Sequence, residues 1–231
     1  MPKLDAYRGT LSPAQVADGI NHAANNARRL VEDAELLLAS GRFPTACSLA
    51  ALAIEEAGKV SILRELALAK SDEDVRHSWK RYRSHTQKNV SWLLPQLAAS
   101  GASKLADFRP LFEDGAEHPE LLDQVKQLGF YTDCLGKAHW SVPVEVIDEG
   151  LAHGTVKTAR LLATKESCTA REIELWVQHL GPVWKVETTW MQQALVNWYT
   201  AMQEEGLAPP SENRMDQFIK SGVLPRGSRD A

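Results

Sequence analysis

The segment from Pro44 to Ala69 constrains the fold most. It contains ACSLAALAIEEAGKVSILREL, whose first half is small or apolar on nearly every side of a helix. A helix of that kind must be covered all round. Glu55 and Glu56 interrupt it. Leu49, Leu52, Glu56, Val60 and Leu63 form one helical stripe, and Ser48, Leu52, Glu55, Lys59 and Ile62 form the next. At least one carboxylate therefore faces an apolar surface, where desolvation demands a partner. Lys59, four residues after Glu55, is the local candidate. Ala50, Ala53, Ala57 and Gly58 leave room for another backbone to approach. A glycine inside a helix costs about 1 kcal/mol relative to alanine, so Gly58 points to a packing requirement. Two readings follow: a buried ion pair that fixes helix register, or carboxylates that orient a catalytic or substrate group.

Helical signals dominate the rest of the chain. Ser12-Pro13-Ala14-Gln15 is a capping box with proline at the first helical position. Val16, Ile20, Ala23, Ala27, Leu30, Ala34 and Leu37 then recur at helical spacing up to Gly41. A third helix is expected from the cap Ser71 toward Ala99, kinked by Pro95, with Val75, Trp79, Tyr82, Val90, Leu93 and Leu97 buried. Residues 101–117 read as a loop anchored by Phe108 and Phe112, and 119–128 as a short helix. GFYTDCLGKAHWSVP reads as an ordered non-helical connector. Further helices are expected over 144–165, from the capping box Thr169-Ala170-Arg171-Glu172 to His179, over 184–205 and over 212–220. Trp190, Leu195 and Trp198 are the expected packing residues of 184–205. Strand alternation is not evident. The fold class is all-α, a helical bundle over residues 12–165 with a helical C-terminal extension over 166–231.

The net charge of −4 gives no global attraction to nucleic acid. Yet RHSWKRYRSHTQKN, residues 76–89, gathers five basic residues, two histidines and two aromatics. On one continuous helix Arg81, His85, Lys88 and Trp92 would share a face bordering the stripe of Trp79 and Tyr82. That would place His85 half-buried in a groove with cations on either side. An imidazole beside fixed positive charge suits acid–base work on a phosphodiester, and arginine can grip phosphate oxygens bidentately. A solvated helix face with a structural histidine is the other reading.

Several chemistries find no support. There is no P-loop, no G-x-G-x-x-G and no G-x-S-x-G. Glu-x-x-His pairs of di-iron bundles are missing, and His118, His139, His153 and His179 lack zinc spacing. No metal and no cofactor is expected. Cysteines 47, 134 and 168 form no C-x-x-C pair, and no apolar run reaches a membrane span. The opening MPKLDAYRGT has no apolar signal core. A reducing cytoplasm without membrane attachment is the expected setting. LPRGSRDA at the C-terminus is given no role.

The run SLAALAIEEAGKV, then RSHTQKN, then FYTDCLGKAHWSVP resembles AbiV-type abortive-infection proteins of the HEPN superfamily. The matching features are Glu55-Glu56-x-Gly58-Lys59, His85 with Lys88, and Tyr131, Asp133, Trp140 and Pro143. The resemblance covers roughly residues 15 to 165. It implies a HEPN-like helical bundle in a prokaryotic cytoplasmic defence protein, homodimeric, that arrests growth on phage infection. Many HEPN proteins are metal-independent ribonucleases, in which an arginine and a histidine of an R-x4-6-H motif cleave RNA to cyclic-phosphate ends.

This chain departs from that motif. Counting back from His85, the required gaps land on Lys80, Trp79 and Ser78, while Arg81 and Arg83 are too close. Lys80 or Arg81 remains the candidate replacement. The reading is an anti-phage toxin or effector acting on RNA, tRNA or mRNA, with a phage protein or an antitoxin as further partner. His85, Arg81, Glu55 and Glu56 are the candidate catalytic residues. Lys59, Lys80, Arg83, Lys88, Tyr131, Asp133 and Trp140 are the candidate substrate-binding residues. The alternative is a non-catalytic helical interaction module with a degenerate HEPN site.

Overall fold

A computed structural model describes residues 5–113, 116–163 and 167–222. The expected helix end at Lys165 and the LPRGSRDA tail lie outside the described residues, as does the start of the chain before Asp5. The expected all-α architecture is the one observed.

α1 spans Pro13–Ala39 and opens with the expected capping box, Ser12 accepting from the Gln15 amide. α2 spans Phe43–Leu66 and runs antiparallel to it after the tight turn at Gly41, whose φ of 68° suits glycine. Ala46, Ala50, Ala51, Ala53 and Ile54 of α2 pack with Leu30, Val31 and Ala34 of α1 in one buried cluster. Leu122 of α5 (His118–Phe130) and Val156 and Ala159 of α7 (Glu149–Leu162) complete it. α2 is thus covered on several sides, as its composition demands.

The third helix is shorter than expected. α3 spans Asp72–Arg83, and Ser84 turns to extended backbone with ψ 135°. Residues 86–88 and 90–93 then form 3-10 turns, and Pro95 lies in the first turn of a separate short helix, α4, Leu94–Ala99. Proline fits that first turn because its missing N–H has no intrahelical partner there, so no kinked long helix forms. The 84–93 segment is held by side chains instead. Asn89, fully buried, donates to the Pro119 carbonyl at 3.2 Å, and Trp92 donates to the His118 carbonyl at 2.8 Å.

Other expectations are corrected in detail. The connector contains a β-hairpin, β1 Asp133–Leu135 with β2 His139–Ser141, in which Cys134 faces Trp140. Three-residue strands are too short to show alternation in sequence. The expected 144–165 helix divides: α6, Pro143–Val146, stops before Ile147, and Asp148 caps α7 through the Leu151 amide at 2.7 Å. Phe108 is buried, but Phe112 is exposed.

α8 (Ala170–Leu180) begins at its expected capping box and packs along α1. Its approach is fixed by Asn21, which exchanges two 2.8 Å hydrogen bonds with the Cys168 backbone. α9 (Thr188–Glu204) starts four residues later than expected, with Glu187 accepting from two amides as its cap. Trp198 joins Leu68, Leu175, Leu180, Ala194 and Met202 in a second buried cluster. Trp190, in the first turn of α9, is exposed, against expectation. α10, Arg214–Lys220, closes the described chain.

Candidate active site

Glu55 is only 3% exposed and sits in the middle of α2. The local partner expected for it, Lys59, turns away. Lys59 binds Glu56 at 2.6 Å and lies over the Tyr82 ring at 5.1 Å. Glu55 instead receives three groups from other parts of the chain. Lys126 of α5 lies 2.5 Å from Oε1, His85 Nδ1 lies 2.7 Å from Oε2, and Lys88 Nζ lies 3.4 Å from Oε2. Asp123 supplies a second carboxylate to Lys126 at 2.6 Å. Lys126 also lies 3.4 Å from His85 Nδ1.

Small residues make this convergence possible. A Cβ at Gly58 would overlap the Lys88 carbonyl, so only glycine lets the 86–88 turn lie directly on α2. A Cβ at Gly129 would overlap the Ser48 hydroxyl and crowd the Pro44 carbonyl, so α5 likewise approaches α2 closely. Ser48 then donates to the Lys126 carbonyl at 3.0 Å. One close approach delivers Lys88, the other delivers Lys126. The carboxylate they surround offsets the cost of burying both ammonium groups.

Charge balance shapes the network. Burial pulls the Lys126 ammonium down, but its hydrogen bonds to Asp123 and Glu55 outweigh that, so its pKa is raised. A carboxylate 2.7 Å from Nδ1 can only accept, so the neutral His85 ring carries its proton on Nδ1. The imidazole is nonetheless 59% exposed. A buried anion thus orients an accessible histidine, an arrangement suited to proton transfer.

Glu55, His85 and Asp123 also offer three ligand atoms within 4.8 Å of one another, a grouping that could hold a metal ion. The Lys126 ammonium lies between the two carboxylates, where such a cation would sit. A metal would fit only if Lys126 withdrew.

The remaining candidates are placed elsewhere. Arg81 does not share a face with His85, because α3 ends between them; it binds Glu65, which Lys185 also reaches at 3.1 Å. Arg83 stacks on Trp79 at 4.9 Å and donates to the Tyr7 carbonyl. Lys80 is exposed and has no ion pair among the described residues. Tyr131, just after α5, and Asp133 and Trp140 of the hairpin are exposed and make no hydrogen bond to the Glu55 cluster among the described residues. Lys126 and Asp123 were not anticipated. The available signal was the stripe Pro119, Leu122, Lys126 and Gly129, buried throughout, with a lysine in an apolar row.

No helix among the described residues is long and apolar enough to cross a membrane. No curated protein and no solved structure matches the chain significantly. The model of the HEPN AbiV family matches residues 15–164, the stretch that contributes Glu55, His85, Lys88, Asp123 and Lys126. By that match over more than half its length, the chain belongs to the AbiV family of HEPN proteins, a family of abortive-infection defence.

Proposed function

We propose that the protein is a cytoplasmic anti-phage effector that cleaves RNA without a metal, with His85 as the acid–base residue and Glu55 as the group that orients it. The observation carrying this reading is the exposed His85 ring bonded at 2.7 Å to a carboxylate that is itself buried. His85 Nε2 takes the proton of a ribose 2′-hydroxyl as that oxygen attacks the adjacent phosphorus. Glu55 stabilises the imidazolium that forms. The bond to the 5′ oxygen breaks, leaving a 2′,3′-cyclic phosphate and a 5′-hydroxyl once that oxygen is protonated. In a homodimer, His85 of a second copy supplies that proton. Lys126 provides an internal cation at the carboxylates, which removes the need for a metal there. Lys80, exposed and five residues before His85, replaces arginine as the phosphate-binding cation.

A second reading has its own support. Arg81, Lys88 and Lys126 are all paired with carboxylates, so most cations near the motif are engaged internally. In that reading the network is a buried lock, and the molecule binds a phage protein or an antitoxin through exposed residues such as Tyr131 and Trp140. Incubating the protein with RNA in EDTA separates the two. The nuclease reading predicts fragments ending in cyclic phosphate, and their absence with every RNA class favours the binding module.

A further inference from the structure

The backbone alone does not aim His85. α3 ends at Arg83, and the histidine follows in a turn outside any α-helix. Its ring is 59% exposed, and Glu55 is the one carboxylate it reaches among the described residues. The direction of the ring therefore depends on the direction of the Glu55 carboxylate. A glutamate side chain has several rotatable bonds, and one contact with an exposed ring does not immobilise them.

α5 supplies the missing constraint. Lys126 Nζ lies 2.5 Å from Glu55 Oε1, whereas the His85 ring lies on Oε2. With Oε1 held, Oε2 stays turned toward the ring. Lys88 cannot do this independently. It contacts Oε2 itself, at 3.4 Å, and belongs to the same turn as the histidine. Lys126 comes from a separate element and is fixed there. Asp123 binds its ammonium at 2.6 Å, and Ser48 of α2 donates to its carbonyl at 3.0 Å. The path from fold to ring thus runs from α5 through Lys126 and Glu55 to Nδ1. The Lys126 side chain is only 5% exposed, so it is shielded from a ligand lying against His85.

We propose that Lys126 is a positioning residue: it fixes the Glu55 carboxylate, and through it the tautomer and direction of the His85 ring, without touching substrate. The consequence for rate rests on the nuclease reading. The consequence for the ring does not.

The test is nitrogen-15 NMR of the imidazole rings in the whole protein at neutral pH, with the His85 signals identified by their loss in His85→Ala. The wild-type ring is expected to carry its proton on Nδ1. In Lys126→Met it should become a mixture of both tautomers, because the freed carboxylate no longer faces it. Asp123→Asn added to Lys126→Met removes the carboxylate left without its ammonium. The double variant should regain stability but keep the mixed ring, and it carries the reading where the single variant does not fold. With RNA as substrate, kcat of either variant should fall about tenfold to a hundredfold, the scale of a misplaced reacting group. KM should change by less than about twofold, since no contact with bound substrate is lost. If the wild type cleaves no RNA, the nuclease reading fails and the ring spectra alone decide the role of Lys126. A wild-type tautomer in folded Lys126→Met, or its return in the double variant, overturns the proposal. So does a wild-type ring protonated on Nε2.

Discussion

Glu55 and His85 are thirty residues apart in the chain, yet Oε2 of the one lies 2.7 Å from Nδ1 of the other. The carboxylate is buried and the imidazole is exposed. This asymmetry means the two residues should respond differently to substitution, and it separates stability from chemistry at the same site.

Glu55→Gln should destabilise the protein strongly. Buried Lys88 would lose the charge that compensates it, and buried Lys126 would keep only Asp123. Breaking a buried pair from one side costs about 3–5 kcal/mol. His85→Ala should cost under about 1 kcal/mol, because the ring is exposed and Glu55 keeps its two lysines. Thermal unfolding of the two variants side by side checks this. Equal losses would show that the histidine, too, is structural.

Gly58→Ala should destabilise by about 1–3 kcal/mol even though alanine is the better helix former. The added methyl group meets the Lys88 carbonyl, a backbone atom that cannot rotate away. Denaturant unfolding measures the effect. A gain in stability would mean that the 86–88 turn does not press on α2.

Alkaline pH should weaken the fold through Lys126. Its pKa is raised in the folded state against an unfolded value near about 10.4. The stabilisation is therefore fully present below that unfolded value and is lost as pH rises through the higher folded value. The melting temperature should fall above about pH 10, less steeply in Lys126→Met than in the wild type. Identical slopes would remove Lys126 as the cause.

One thiol should react in the native protein. Cys134 is exposed on the hairpin, whereas Cys47 and Cys168 are buried. Burial pushes the Cys47 thiol up, and burial with Glu172 nearby pushes Cys168 to about 11. A chromogenic thiol reagent should label Cys134 quickly and the other two only on unfolding. Fast labelling of Cys168 would show that α8 separates readily from α1.

The helices were legible where periodicity and caps coincide, as at Ser12, Ser71 and Thr169. The awkward burial of Glu55 was legible too, because it interrupts an apolar stripe. Its partners were not. Lys59 is nearest in sequence, but a residue at i+4 lies on the helix's own surface, and a buried carboxylate is reached from the elements packed on it. The break at Ser84 was also hidden, since serine, histidine, threonine and glutamine carry no strong stop signal. That break moved Arg81 away from His85 while still bringing His85 and Lys88 to the same carboxylate. The resemblance to AbiV proteins carried the family reading, which spacing alone could not.

The proposed function requires His85 to move a proton during RNA cleavage. The direct measurement is the cleavage rate in EDTA of wild-type protein, of folded His85→Ala, and of His85→Ala with added imidazole. Cleavage should fall in the variant by about 10²–10⁴-fold, as for loss of a general acid–base residue, and recover in part with imidazole. A His85→Ala protein that cleaves as fast as the wild type would contradict it.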